Sequence, residues 1–359
     1  MIPYNGWDRE YQDNESEYLD VFDWAMRQSK YDSIEWFETK IASYAGRKHA
    51  VSVASATDAL LFSLVTHGIG PGDEVLVPDF SWISTSSCVT MAGATPVFCD
   101  IDLESYHIDI DSIRRMISDK TKALIYVHLF GNMTDTREIE EFCKDNDIVL
   151  IEDAAQALGS SLNGAVAGSL GDSSVFSFNT NKVIAGINGG GVYLTDNDKD
   201  AECVRKLKNH GCKKSNDFEI LGYNAKMYTL NAAIIDKRLD RMTIYQEKRN
   251  TIANRYNKAF KDLPIHLPIS EEGLNHNYHK YVVRFEDRET RDMMKELLGA
   301  QIHYETTLSH NSMYQHISHR KDNCNNSFHA TQTVLSLPIH PWLHEEEISS
   351  IINTIDSFF

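Results

Sequence analysis

The chain carries a succession of short apolar runs that do not alternate polar with apolar residues. Glu74–Val77 (EVLV), Pro96–Cys99 (PVFC), Ala123–His128 (ALIYVH), Ile148–Glu152 (IVLIE), Ser174–Phe178 (SVFSF) and Gly191–Thr195 (GVYLT) are the clearest. A strand with one wet face alternates; a strand buried on both faces need not. Helical stretches separate several of these runs. Thr57–Thr66 puts Leu60, Leu61 and Leu64 on one face, and Asp135–Asp145 turns Ile139 and Phe142 inward. His49–Val53 reads as a further strand or its edge. The pattern predicts an α/β fold: a large domain with a mostly parallel sheet flanked by helices.

From about Leu230 the texture changes. Leu230–Leu263 has neither Pro nor Gly and reads as one long, charge-laced helix. The expected organisation is a large α/β domain over residues 1–230, a connecting helix over 231–264, and a small C-terminal α+β domain over 265–359. Within the small domain, Tyr281–Phe285 and Gln301–Tyr304 are the expected strands. Thr290–Leu298 and Glu345–Ser357 are the expected helices.

Charge and cysteine usage exclude several function classes. With 35 basic and 52 acidic side chains the net charge is −17, so the positive field needed for nucleic-acid binding is absent. The 5 Trp, 16 Tyr and 15 Phe need burial, which excludes a disordered acidic chain. None of the 6 cysteines forms a C-x-x-C pair, and the 15 histidines offer no H-E-x-x-H spacing. Reduced thiols and no metal are the expectation. No signal peptide and no apolar run of about 18 residues is present, so the expected location is the cytoplasm, with no membrane partner.

Ligands of open α/β sheets sit at the carboxyl ends of the strands. After His49–Val53 comes Ala54-Ser55-Ala56-Thr57, small and hydroxylated residues opening a helix: a phosphate site, or an ordinary N-cap. After EVLVP comes Trp82, either a stacking platform or a core aromatic. After IVLIE comes Asp153, an acid at a buried strand tip, serving a cationic ligand or capping a helix. After SVFSF comes Lys182 in an uncharged stretch, where removal from water would make its amine nucleophilic.

Taken in order, these segments resemble the fold-type-I pyridoxal-phosphate enzymes, and among them the nucleotide-sugar aminotransferases of the DegT/StrS family. The resemblance runs from FETKIASYAGRKHAV (Phe37–Val51) through ATDALLFSL, GIGPGDEVLVPDFSW, AGATPVFCDID, VHLFGN, IEDAAQALGS, GDSSVFSFNTNK and GYNAKM to LSLPIHPWLHEEE. It implies that Lys182 is the Schiff-base lysine, Asp153 the partner of the pyridine nitrogen, Gln156 the donor to the ring phenolate oxygen, and Trp82 the residue stacked on the ring. Ala56, Thr57 and Ser177 would bind the phosphate, completed by Asn224 from the partner subunit of a homodimer. The family more often has Gly at Ala56 and Arg at Lys226, and the segment after Lys182 reads AGINGGG where an acidic G-E-G-G is common.

The implied activity is amino transfer from L-glutamate to the ketone of a nucleotide-linked ketosugar, for amino-sugar or surface-polysaccharide synthesis. Other members act on an inosose or an octulosonate, or are sugar dehydratases; a catalytically silent relative is a further alternative. The dehydratases replace the lysine, which is present here. Both expected ligands are anions in an anionic chain, so their capture must depend on locally placed donors.

Overall fold

The computed structural model describes residues 2–27, 34–269 and 271–359. Seven strands of the large sheet lie between residues 49 and 195: β1 His49–Val53, β2 Glu74–Pro78, β3 Thr95–Cys99, β4 Thr121–Val127, β5 Val149–Asp153, β6 Ser173–Ser177 and β7 Gly191–Thr195. Later in the chain come β8 Ile265–His266, β9 Tyr281–Phe285, β10 Arg320–Lys321 and β11 Val334–Leu337. The large sheet has the order β1-β7-β6-β5-β4-β2-β3-β10. Its pairs are parallel from β6 through β10 and antiparallel where β7 joins β1 and β6.

The non-alternating runs have the burial they demand. Every residue of β2, β6 and β7 is buried. One face packs on Leu60, Leu61 and Leu64 of the helix Ala56–Thr66. The other packs around Phe37, Ile41, Phe176 and Phe178. Pro78 ends β2 because it has no N–H to offer the ladder. Parallel strands with helices on both faces put all their carboxyl ends on one rim, where the loops carry Trp82, Asp153 and Lys182.

The smaller sheet, β8-β9-β11, is antiparallel. It forms one apolar cluster with Ile252, Tyr256 and Phe260 of the helix Met242–Phe260, Met294 and Leu298 of Arg288–Leu298, and Ile348, Ile351 and Ile355 of Glu345–Asp356. Asp287 caps Arg288–Leu298 by accepting the Thr290 N–H at 2.8 Å.

Two expectations fail. The stretch 231–264 is two helices, Thr229–Leu239 and Met242–Phe260, with Arg241 out of the helical region at φ −102°, ψ 5°. Ion pairs fix this bend: Lys40 reaches Asp236 (2.7 Å) and Asp240 (2.6 Å), and Arg241 pairs with Glu17. Gln301–Tyr304 is not a strand. Gln301 makes a single bridge to Ser336, and the chain then turns inward, placing His303 and Tyr304 at the rim of the site.

Candidate active site

A cavity of about 310 Å³ opens at the carboxyl ends of the strands. Of the residues singled out in the sequence, Ala56, Thr57, Trp82, Asp153, Gln156, Ser177 and Lys182 all line it. Asn224 does not; it is exposed, and the carbonyl of its neighbour Ala225 accepts the Ala54 N–H at 2.8 Å.

At one end, Ser55 proves to be the N-cap of the helix Ala56–Thr66: its Oγ accepts the Asp58 N–H at 3.1 Å. Ala56 and Thr57 therefore occupy the first helical turn, where N–H groups lack intrahelical acceptors. The Thr57 hydroxyl meets Ser84 Oγ at 2.7 Å. Gly191 passes directly beneath: a Cβ there would lie 2.4 Å from the Ala56 nitrogen. The glycine run thus lets a backbone approach the helix end closely.

Asp153 closes β5, with Glu152 and Asp153 directed to opposite faces by the strand period. Glu152 faces away from the cavity, accepts the Gly168 (2.7 Å) and Leu170 (2.8 Å) N–H groups, and meets His128 at 2.9 Å. Asp153 caps no helix. Its carboxylate accepts the Thr85 hydroxyl at 3.1 Å and the Ala155 N–H at 3.2 Å. Burial pushes its pKa up, opposed by the Ala155 N–H, the Lys182 charge and Thr85.

Lys182 sits in a tight turn after β6, its N–H donating to the Asn179 carbonyl at 2.9 Å. Buried Val183 and Ile184 anchor the turn from below. Burial lowers the Lys182 amine to about 8, with Asp153 opposing the shift. A solvated lysine is almost entirely protonated at neutral pH; this one holds an appreciable neutral fraction, the form that attacks a carbonyl.

Partners distant in the sequence position the remaining side chains of the site. Gln156 Oε1 accepts the Phe130 N–H (2.8 Å) while its Nε2 donates to Tyr304 Oη (3.1 Å), leaving one amide hydrogen for the cavity. Trp82 is 57% exposed, its ring 6.1 Å from that of Tyr304. The N-terminal segment braces the Lys182 turn: Trp7 Nε1 donates to the Thr180 carbonyl at 2.6 Å. Behind it, Arg238 donates to the Ala185 carbonyl (2.7 Å) and pairs with fully buried Glu10 (3.0 Å). His279, Lys280 and His303 complete the wall. The string HNYHKYVV gives only one hint, a lysine directly before a fully buried strand.

The model of the DegT/DnrJ/EryC1/StrS aminotransferase family matches residues 12–356. The chain is 35% identical, over 89% of its length and 86% of the relative, to UDP-N-acetyl-3-dehydro-alpha-D-glucosamine 3-aminotransferase of Acidithiobacillus ferrooxidans. It is 32% identical, over 90% of both chains, to dTDP-3-amino-3,6-dideoxy-alpha-D-galactopyranose transaminase of Aneurinibacillus thermoaerophilus. The fold superposes with a TM-score of 0.89 on the pyridoxal-phosphate form of Spr1654 from Streptococcus pneumoniae, at 28% identity over 96% of this chain and 95% of that one. An amine of depressed pKa, a buried carboxylate and an amide-lined helix end share one cavity, on a fold and sequence matched nearly end to end; the chain belongs to the DegT/DnrJ/EryC1/StrS aminotransferase family.

Proposed function

We propose that this pyridoxal-phosphate-dependent aminotransferase takes an amino group from L-glutamate and delivers it to the ketone of a nucleotide-linked ketosugar. The observation that carries the reading is that Lys182 and Asp153, close enough to feel each other's charge, line one cavity with Ala56 and Thr57. The acceptor class rests on two relatives, each about a third identical along nine-tenths of the chain, that are named for aminating UDP- and dTDP-linked sugars.

The residues present fit the cofactor. The dianionic phosphate finds helix-end amides at Ala56 and Thr57, the Ser177 hydroxyl, and a backbone that only Gly191 lets come so close. Trp82 and the spare Nε2 hydrogen of Gln156, both lining the cavity, would serve the ring and its phenolate oxygen. Asn224 is exposed and outside its own cavity, as suits a residue serving a second copy of the chain in a homodimer.

Bound pyridoxal phosphate supplies an electron sink that lets the C–H bond beside the donor nitrogen break heterolytically. Asp153 would keep a proton on the ring nitrogen of the bound group, because an adjacent anion raises that nitrogen's pKa. Lys182 Nζ would be the base that takes the proton from the donor's α-carbon and, in the second half-reaction, the acid that returns one to the former ketone carbon. Its pKa of about 8 suits both tasks near neutral pH.

The test is direct. The wild-type protein should be yellow, lose that colour on borohydride treatment with the adduct mapped to Lys182, and aminate a UDP- or dTDP-ketosugar in the presence of glutamate. A Lys182→Ala variant that still formed the reducible adduct would overturn the assignment. A deoxygenated sugar product in place of an aminated one would overturn the reaction class.

A further inference from the structure

Beside Lys182, the cavity wall holds a second lysine. Lys280 is only 7% exposed, and its Nζ lies 4.2 Å from the centre of the Tyr4 ring. Among the described residues, no carboxylate pairs with it. The groups around it offer no anion: Arg249 adds positive charge, and the two nearby histidines are held neutral. Arg249, from the helix Met242–Phe260, spends its guanidinium on the Tyr278 and Ile339 carbonyls at 2.8 and 2.9 Å. His279 and His303 are pushed far below the usual imidazole range by burial and then by the neighbouring lysines. Asp153, the acid of this cavity, is engaged with Thr85 and Ala155 and faces Lys182.

A buried cation without an anion is costly, and among the described residues no carboxylate supplies one. The anion that completes this site therefore comes with a ligand. The cofactor's phosphate has its own donors at Ala56, Thr57 and Ser177. The carbon undergoing proton transfer must lie within reach of Lys182 Nζ, and Lys280 lines the same cavity. A substituent of that carbon is what falls to the neighbouring lysine. In an α-amino-acid donor, that substituent is a carboxylate.

We propose that Lys280 is a substrate-binding residue that takes the α-carboxylate of the amino donor; this rests on Lys182 acting at the reacting carbon. The choice of lysine over arginine follows from the alternation of substrates. In the second half-reaction the same carbon belongs to a sugar and carries uncharged substituents. A fixed guanidinium would then be stranded, whereas burial and the charge of Lys182 lower the Lys280 amine to about 7, so it can shed its proton.

The experiment uses Lys280→Gln and Lys280→Met holoenzymes, with each half-reaction followed separately in single turnovers. L-glutamate converts the pyridoxal to the pyridoxamine form, read by absorbance; UDP-N-acetyl-3-dehydroglucosamine reverses it. Calorimetry of 2-oxoglutarate binding to the pyridoxamine form gives a readout independent of turnover. Loss of a charged hydrogen bond should raise the half-saturating L-glutamate and the 2-oxoglutarate Kd by about 10- to 100-fold. The limiting first-order rate and the sugar half-reaction should change far less, and Lys280→Arg should restore glutamate saturation while impairing the sugar step. Equal losses in both half-reactions, loss confined to the sugar step, or unchanged 2-oxoglutarate binding would each overturn the proposal. None of these outcomes touches the assignment of Lys182, which fails only by its own adduct test. If Lys280→Gln does not fold, Lys280→Met and Lys280→Arg carry the comparison.

Discussion

Replacing Lys280 by Met in the apoprotein should stabilise the fold, and by an amount that depends on pH. In the unfolded chain the amine has the ordinary lysine pKa of about 10.4; in the fold it is lowered to about 7, chiefly by burial and then by Lys182 and Arg249. Below pH 7 both states are protonated, and the native state bears the full penalty of an enclosed charge. A gap of about three pKa units, at 1.36 kcal/mol each, puts that penalty on the order of 4 kcal/mol. Between pH 7 and about 10.4 the unfolded state holds the extra proton, so wild-type stability climbs with pH by up to about 1.4 kcal/mol per unit. Met fills similar volume without charge. The advantage of Lys280→Met should therefore be largest at and below pH 7 and shrink steadily above it. Urea midpoints of both apoproteins at several pH values measure the gap. A pH-independent difference, or a wild type more stable than the variant below pH 7, would refute the reasoning. It would mean that Tyr4, 4.2 Å away, or water stabilises the charged amine.

Two further perturbations probe the opposite ends of the cavity. Asp153→Asn should leave the holoenzyme coloured but slow both half-reactions by roughly 10- to 1,000-fold, because loss of the adjacent anion lowers the ring-nitrogen pKa by about 1–3 units; single-turnover absorbance measures it, and an unchanged rate would remove Asp153 from its role. Gly191→Ala forces a Cβ to within 2.4 Å of the Ala56 nitrogen, so the helix end must shift and cofactor affinity should fall; fluorescence titration of the apoprotein with pyridoxal phosphate measures it, and an unaltered Kd would show that the amide end holds no phosphate.

The sheet was legible because burial on both faces leaves a mark in composition: β1, β7 and β9 match the expected strands residue for residue. Lys182 and Asp153 were legible for a related reason, since a charge at the tip of an apolar run is anomalous. Lys280 sits just before such a run too, but nothing local tells whether a lysine in that position turns out to solvent or inward beside another lysine. Thr85 and Tyr304 matter only through Asp153 and Gln156, partners 68 and 148 residues away. The bend at Arg241 follows the same logic. Neither Gly nor Pro marks it, because charges on Lys40 and Glu17 impose it from other helices.

The edge strand β10 has a consequence for the order in which the chain can be completed. Arg320 and Lys321 pair with Val97 and Phe98 of β3, closing an edge whose residues from Pro96 to Cys99 are buried. About 220 residues separate the two strands. At synthesis rates of about 5–20 residues per second, the β3 edge stays open for roughly 10–40 s after it emerges from the ribosome. During that interval Val97 and Phe98 have no strand partner on that side. The vulnerable period of this protein is thus one of biogenesis: crowded synthesis, rather than later unfolding, is when β3 is open to intermolecular pairing.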